Sequence, residues 1–281
     1  MSYLYGKGTP FAKRALNNIS LEIERGTITG LIGHTGSGKS TLAKLLCGLD
    51  RPEEGQVLVD GVDINAKKKN RRENFFKVGL VFQYPEYQLF EESLEKDIAY
   101  GPGNMGLDEG EIARRVKNAA EFVGLDEETL KKSPFDVSGG QRRRAAIAGI
   151  IAMEPEYLIL DEPAAGLDPT GRDDILSKLK AYQRQRGSSL IIISHSMEDM
   201  AKYCDKIIVM NKGEVFRYGT RNEIFEDPRA LRDIGLSVPQ ITKLVARMED
   251  YGVKLDRPIY TVGAAYEDIA KLLGIGGGTD D

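Results

Sequence analysis

The apolar positions of this chain change period several times, and each change marks a predicted element. Between Ala15 and Glu24 apolar and polar residues alternate through Leu16, Ile19, Leu21 and Ile23, which predicts a strand. A turn at Arg25-Gly26 follows, then a second strand over Thr27 to Ile32 that runs straight into glycines and a helix over Ser40 to Gly48. Gly55 to Asp60 and Val78 to Gln83 are further short strands. From Pro85 to Met153 the period becomes helical: Ile112, Val116, Ala119, Ala120 and Val123 recur on one face, so this stretch reads as a mostly helical insertion. Tyr157 to Leu160, Leu190 to Ile193 and Ile207 to Met210 are continuous apolar runs, as in parallel strands buried on both faces. Thr170 with Asp173 predicts a capping box for the helix carrying Ile175, Leu176 and Leu179, and Ser196 with Asp199 caps a short helix. After Gly219 the pattern turns helical, with Pro239 at a first helical position and Ile241, Leu244, Val245 and Met248 in one stripe. The order of elements makes this an α/β fold, and no internal repeat is found.

Composition narrows the class. The 281 residues suffice for one large domain with an appended segment and not for two such domains. No apolar run approaches the roughly eighteen residues of a membrane helix, and Met1 to Gly6 carries neither a basic region nor a long apolar stretch, so no signal peptide is expected. A net charge of −4 gives no general attraction to nucleic acid. Cys47 and Cys204 stand far apart in apolar surroundings, as buried thiols of a reducing compartment. These features point to the cytoplasm, or to a membrane served from its surface. Lys67-Lys68-Lys69-Asn70-Arg71-Arg72 has no interleaved aromatics and reads as a solvated loop, with anionic lipid as an alternative contact.

The chemistry begins at Gly33-His34-Thr35-Gly36-Ser37-Gly38-Lys39-Ser40, which fits G-x-x-x-x-G-K-S between a strand and a helix. Glycines let backbone N–H groups turn toward phosphate oxygens, and the helix start adds its free donors. Lys39 supplies a point charge for the β- and γ-phosphates of a bound ATP, and the Ser40 hydroxyl is a magnesium ligand; Thr41 completes the binding segment. His34 reads as a loop-surface residue of that segment. Asp161 and Glu162 end an apolar strand, where a carboxylate faces the ligand crevice. Asp161 is placed as a Mg²⁺ ligand and Glu162 as the group that orients or deprotonates water.

Val137-Ser138-Gly139-Gly140-Gln141 resembles the LSGGQ signature of ATP-binding-cassette (ABC) ATPases, with Val in place of Leu. The resemblance implies a P-loop NTPase, RecA-like core with an antiparallel β subdomain, a helical signature subdomain at about 86–153 and a C-terminal helical extension. On this reading residues 1–230 form the ATPase domain, 231–275 the extension and 276–281 a disordered tail. It further implies that Ser138, Gly139, Gly140 and Gln141 cap the γ-phosphate held by a second subunit. Gln83 matches the Q-loop glutamine near Mg²⁺ and the attacking water, Asp168 the D-loop aspartate and His195 the switch histidine. Tyr5 matches the aromatic that stacks on adenine, with Phe11 as an alternative.

A narrower resemblance follows Gln83. Phe82-Gln83-Tyr84-Pro85-Glu86-Tyr87-Gln88-Leu89-Phe90-Glu91-Glu92 is similar to the extended Q-loop of energy-coupling factor transporter ATPases, which drive uptake of vitamins and of cobalt or nickel. Gly8 to Phe11 and Ser237 to Leu244 resemble the second of the two ATPases that pair in many such transporters. The first strand is expected to be short, because family members carry several more residues before the position of Ser2. The family implies three partners: a second ABC ATPase subunit (self or paralogue), a transmembrane coupling subunit and a substrate-binding membrane subunit. The expected location is the cytoplasmic face of the membrane, as a peripheral protein. Glu86, Glu91, Glu92 and Glu95 are candidates for docking the membrane partner. Arg142-Arg143-Arg144 either steers nucleotide or faces solvent. A soluble cassette of DNA repair or translation lacks support in the absence of coiled-coil or tandem features, and a P-loop kinase or GTPase-like switch does not explain the signature.

Overall fold

The computed structural model describes residues 1–65, 75–255 and 257–275. The basic run Lys67 to Arg72 and the tail at 276–281 lie outside the described residues. A six-stranded sheet dominates the molecule. It contains β3 (Ile28–Gly33), β6 (Val78–Val81), β7 (Tyr157–Asp161), β8 (Ser189–Ile193), β9 (Lys206–Asn211) and β10 (Glu214–Thr220), in the order β10-β9-β3-β8-β7-β6. All neighbours pair in parallel except β10 with β9. Smaller antiparallel pairs join β1 (Tyr3–Tyr5) to β2 (Lys13–Leu16) and β4 (Leu58–Val59) to β5 (Val62–Asp63).

Both faces of the large sheet are covered, which is why its strands read as unbroken apolar runs. Successive side chains alternate between two cores. Leu158, Leu160, Leu190, Ile192, Ile207 and Val209 enter the larger one, while Ile159, Ile191, Ile193, Ile208 and Met210 enter the other. The second core is closed by Leu42, Ala43 and Leu45 of α1 (Lys39–Leu46). The first is closed by α2 (Leu94–Met105), α3 (Glu109–Val123), α5 (Gly139–Ile151), α6 (Pro169–Arg186) and α7 (Met197–Tyr203), with the short α4 (Glu127–Leu130) beside them. The segment predicted as a helical insertion is therefore largely helical.

Several local expectations are corrected. The predicted strand from Ala15 to Glu24 ends at Leu16. Asn18 takes a left-handed conformation, φ 47°, and the backbone bonds go instead to Gly213 and Met1. The burial alternation survives without the ladder: Leu16 and Ile19 are buried and Leu21 and Ile23 half-buried. Helix α6 is capped by Asp168, which accepts from the N–H of Gly171, with Pro169 at the first helical position. Thr170 and Asp173 lie inside the helix, because Pro169 already fixes the entering backbone. Pro239 is the N-cap of α10 (Gln240–Asp250), one residue earlier than expected.

The hairpin β9-β10 was not predicted: along Glu214–Thr220 the exposed positions include Phe216 beside Glu214 and Thr220, and the register slips between Val215 and Arg217, so no regular apolar alternation marks the strand. Its turn carries positive φ at Lys212 (48°) and Gly213 (81°), the pair of left-handed residues that a tight hairpin needs. The following α8 (Arg221–Phe225) opens with a capping box between Thr220 and Glu223. Beyond α9 (Pro228–Asp233), α10 packs on α11 (Val262–Leu272) around Val245, Ile259 and Ala265. Ile241 joins that cluster, whereas Leu244 of the predicted stripe is 50% exposed. Val238 and Tyr260 belong to the larger core and tie this segment down.

Gly213 links the hairpin to the phosphate-binding loop, because its N–H donates to the Ser37 carbonyl at 3.0 Å. An added Cβ would lie 2.7 Å from the Ala15 carbonyl, a backbone atom that cannot step aside. Gly213→Ala is expected to destabilise the chain by about 1–3 kcal/mol, read as a lower denaturant midpoint with an unchanged m-value.

Candidate active site

Topology assembles the candidate residues. Strands β3, β8, β7 and β6 lie side by side and run the same way, so the loops leaving their C-terminal ends share one edge. Register makes this concrete: Ile193 pairs with Leu31 on one side and with Asp161 on the other, and Leu160 pairs with Val81. The loop at Gly33, the turn at His195, the acids Asp161 and Glu162, and Gln83 therefore follow one another along that edge.

The loop from Gly33 to Ser40 wraps the start of α1. Gly36 and Gly38 take positive φ, 80° and 105°. A Cβ on Gly38 would meet the Ala15 carbonyl at 2.8 Å and Leu16 at 2.7 Å, so glycine is required there on two counts. No side chain caps α1, which leaves its first N–H groups for an anion. His34 and Thr35 form the outer wall; His34 contacts Asn211 Oδ1 at 3.1 Å and the Thr35 carbonyl at 2.8 Å. Ser37 is wholly buried, and its Oγ has no hydrogen-bond partner. The Lys39 ammonium donates to the carbonyls of Gly33 (2.6 Å) and His34 (3.2 Å), drawn over the loop. Burial lowers the Lys39 pKa, opposed by the charges of Asp161 and Glu162.

Across the loop, Ser40 Oγ donates to Asp161 Oδ2 at 3.1 Å. The hydroxyl and carboxylate named from sequence as magnesium ligands thus converge. Oxygen donors without a surrounding cage suit a hard ion that keeps waters and substrate phosphates in its shell, so these residues fit Mg²⁺. Among the described residues no cluster of three or more His, Cys, Asp or Glu side chains could hold a metal without that help. Tyr5 reaches the same helix, with its hydroxyl 3.1 Å from Thr41 Oγ1 and its ring 39% exposed. Phe11 is 87% exposed.

Glu162 begins the loop after β7 with φ 52°, and its N–H donates to the Ile193 carbonyl at 2.9 Å. Its Oε2 accepts from Ser194 Oγ at 3.4 Å, its Oε1 lies 3.8 Å from His195 Nε2, and that Oε1 is buried without a hydrogen-bond partner. Burial raises the pKa of Glu162, offset in part by His195, and burial likewise raises Asp161. A desolvated carboxylate with a free oxygen is a better proton acceptor than an exposed one. Gln83 follows β6 and is exposed, two residues beyond the pairing of Val81 with Leu160.

Other candidates stand elsewhere. Ser138 caps α5 in a capping box with Gln141, with bonds of 3.2 and 2.9 Å, and Gly139 and Gly140 are exposed in its first turn. Among the described residues no hydrogen bond or ion pair joins Ser138 to Gln141 with the loop of Lys39. Asp168 caps α6. Of the four docking acids, Glu86 stands apart: it turns inward to an ion pair with Arg143. Glu92 and Glu95 are exposed, Glu92 paired with Lys96, and Glu91 is half-buried. Two contributors escaped sequence reasoning. Asp97 accepts from the N–H groups of Phe90 and Glu91 (3.1 and 3.2 Å) and shapes their loop. Arg143 is buried, and nothing in a run of three arginines distinguishes it.

An α/β sheet edge with a glycine-rich loop, a lysine, a serine–aspartate pair and a poised glutamate defines a nucleoside-triphosphatase. Residues 16–165 match the family model described as ABC transporter. The chain is 53% identical over 274 residues to "Energy-coupling factor transporter ATP-binding protein EcfA2" of Clostridium perfringens strain 13, covering 97% of this chain and 96% of that protein. The protein of the same name in Listeria monocytogenes is 45% identical over 280 residues, covering 99% and 97%. Among solved structures, cbiO1 of Clostridium perfringens, described as part of the ABC transporter complex cbiONQ, superposes with TM-score 0.73 at 37% identity, covering 89% of this chain and 96% of that one. The ATP-binding cassette MJ0796, solved as a post-hydrolysis dimer with ADP and Pi, gives TM-score 0.70 at 26% identity, covering 78% and 96%. The chain belongs to the ABC transporter ATPases, and within them to the energy-coupling factor transporter ATP-binding proteins. It binds ATP and is an ABC-type ATPase.

Burial of the two acids has a consequence for stability. A carboxyl whose pKa is raised by folding adds stability only while protonated; that contribution is complete below its ordinary pKa and lost as pH rises through the raised one. At pH 7 ionised Asp161 and Glu162 therefore weigh against the nucleotide-free fold. Asp161→Asn and Glu162→Gln are expected to melt above the wild type at pH 7. The difference should close as pH falls below the ordinary carboxylate range. Thermal unfolding across pH checks this, and a lower melting point at pH 7 contradicts it.

Proposed function

We propose that this chain hydrolyses MgATP at the sheet edge described above, with each nucleotide enclosed between two cassettes, and that the cycle drives an importer in the membrane. The observation that carries the reading is the Ser40–Asp161 contact at 3.1 Å beside Glu162, whose Oε1 is buried and unpartnered. Residues Gly33 to Thr41 bind the phosphates, Lys39 swinging from its carbonyl contacts to the charge it was desolvated to meet. Tyr5 supports the adenine. Ser40, Asp161 and Gln83 hold Mg²⁺, whose chemistry is to neutralise charge developing on the phosphoryl oxygens. Glu162 takes the proton of the attacking water, and His195 and Gln83 orient the γ-phosphate side of the site.

Ser138, Gly139, Gly140 and Gln141 act on the nucleotide of the other subunit, with Asp168 at the same interface. That subunit is a second ABC ATPase, a copy or a paralogue. Residues 1–230 are the ATPase domain and 231–275 an extension available to the pair. The further partners are a transmembrane coupling subunit and a substrate-binding membrane subunit for a vitamin or for cobalt or nickel ions. The similarity to relatives named for energy-coupling factor transporters, and to a member of the cbiONQ complex, supports this. Among the described residues no helix is long and apolar enough to cross a membrane, and the reading places the chain on the cytoplasmic face as a peripheral subunit. Docking falls to the segment after Gln83, where Tyr84, Tyr87, Phe90 and Tyr100 are 48, 84, 63 and 50% exposed among Glu91, Glu92 and Glu95. Large exposed aromatics of this kind mark interaction surfaces.

Three sets of variants test this reading. Glu162→Gln should bind MgATP with wild-type affinity while kcat falls at least about 100-fold. Lys39→Ala should lose binding itself, as read by nucleotide titration. Near-normal turnover by the first variant would remove Glu162 from its role. In the third, charge reversal at Glu91 and Glu92 should leave nucleotide binding intact. It should also reduce co-purification with the membrane subunit and uncouple uptake from hydrolysis; full assembly and normal uptake would count these acids as plain surface.

A further inference from the structure

Helix α5 begins at the signature and carries Arg142, Arg143 and Arg144 in succession. Their surroundings differ. Arg142 stays local, donating to the carbonyls of Val137 and Pro134, and Arg144 is exposed. Arg143 is enclosed, with 9% of its side chain exposed. Its Nε donates to Glu86 Oε2 at 3.3 Å, its Nη1 donates to the carbonyl of Ala165, and its guanidinium lies 5.9 Å from the centre of the Tyr84 ring.

These partners belong to the two loops that carry catalytic candidates. Tyr84 and Glu86 follow Gln83 directly, and Tyr84 is held at φ 57°, a conformation that its contacts must maintain. Ala165 lies three residues past Glu162, and its N–H donates to the Glu162 carbonyl at 3.1 Å. One side chain on the signature helix therefore grips both the Gln83 loop and the Glu162 loop. The planar guanidinium, with five donors in a rigid fork, spans a carboxylate, a carbonyl and a ring face from one fixed position; an ammonium is a compact point charge on a flexible stem and does not reproduce that geometry. A charge this sheltered is held in one place by its partners, because leaving it uncompensated is costly.

We propose that Arg143 is a positioning residue that locks the signature helix to the Gln83 and Glu162 loops of its own chain. Seating of the signature on the partner's nucleotide is thereby transmitted to the edge that works on this chain's nucleotide. The inference rests on the roles given above to Ser138, Gln83 and Glu162. It joins the two composite sites of a dimer through a contiguous chain of contacts within each subunit.

The test uses the assembled ATPase with Arg143→Lys, Glu86→Gln and the double variant. It measures steady-state hydrolysis against ATP concentration, MgATP binding and the melting temperature. Both single variants should bind MgATP as the wild type does. Their kcat should fall about tenfold with KM unchanged, at temperatures well below melting. The double variant should be no slower than the slower single one, since both changes cut one linkage. A role confined to holding the fold would lower the melting temperature and leave kcat alone, and that result overturns the proposal. Additive losses, or a loss carried by KM, overturn it equally. Arg143→Lys retains the charge, so the question stays answerable where Arg143→Ala does not fold. Glu162→Gln run in parallel separates the two readings: an active Glu162→Gln enzyme defeats the assignment of the site, whereas an inactive one beside a normal Arg143→Lys enzyme defeats this inference alone.

Discussion

One ammonium and two carboxylates share a desolvated sheet edge, and the rest of the molecule is organised to keep them there. Burial lowers the Lys39 pKa and raises those of Asp161 and Glu162; the two carboxylates pull Lys39 back, Lys39 pulls Asp161 back, and His195 does the same for Glu162. Such an arrangement is unfavourable without a ligand that brings both negative phosphates and a cation. The protein tolerates it because a wide, doubly covered sheet supplies the stability. Functional sites commonly carry this kind of local cost.

The sheet also sets geometry. Parallel strands give every C-terminal loop the same outlook, so residues separated by more than a hundred positions in the chain, such as Ser40 and Asp161, meet without any long-range loop. The antiparallel hairpin β9-β10 closes the far side, and Gly213 braces Ser37 from behind. The helical layer has a different task. It presents Ser138 at a capped helix start, away from the Lys39 loop, and holds the exposed aromatic segment after Gln83 beside it.

These two parts need a joint that is stiff, because a change at a nucleotide is useful only when it moves a surface elsewhere. Packed interiors respond to such changes by shifting between discrete arrangements. Glu86 and Arg143 sit at that joint, and this explains why an acid grouped by sequence with the docking residues is withdrawn from the surface.

Local chemistry was legible in the chain. The glycine-lysine loop, the paired acids after an apolar strand, the signature and the buried parallel strands all announce themselves, because each depends on residues adjacent in sequence. Element ends were less legible: Asp168 outcompetes Thr170 as a cap because Pro169 fixes the entry, and Asn18 stops a strand whose burial alternation continues. The hairpin strand Glu214–Thr220 carried no clear apolar period, since Phe216 faces solvent and a register shift between Val215 and Arg217 breaks the alternation. What only the folded chain decided is partnership across distance. Which of three arginines turns inward, which glutamate meets it, and that the Gly213 N–H reaches Ser37 are set by how layers stack. Side chains of identical type in consecutive positions differ only in what tertiary packing brings to face them.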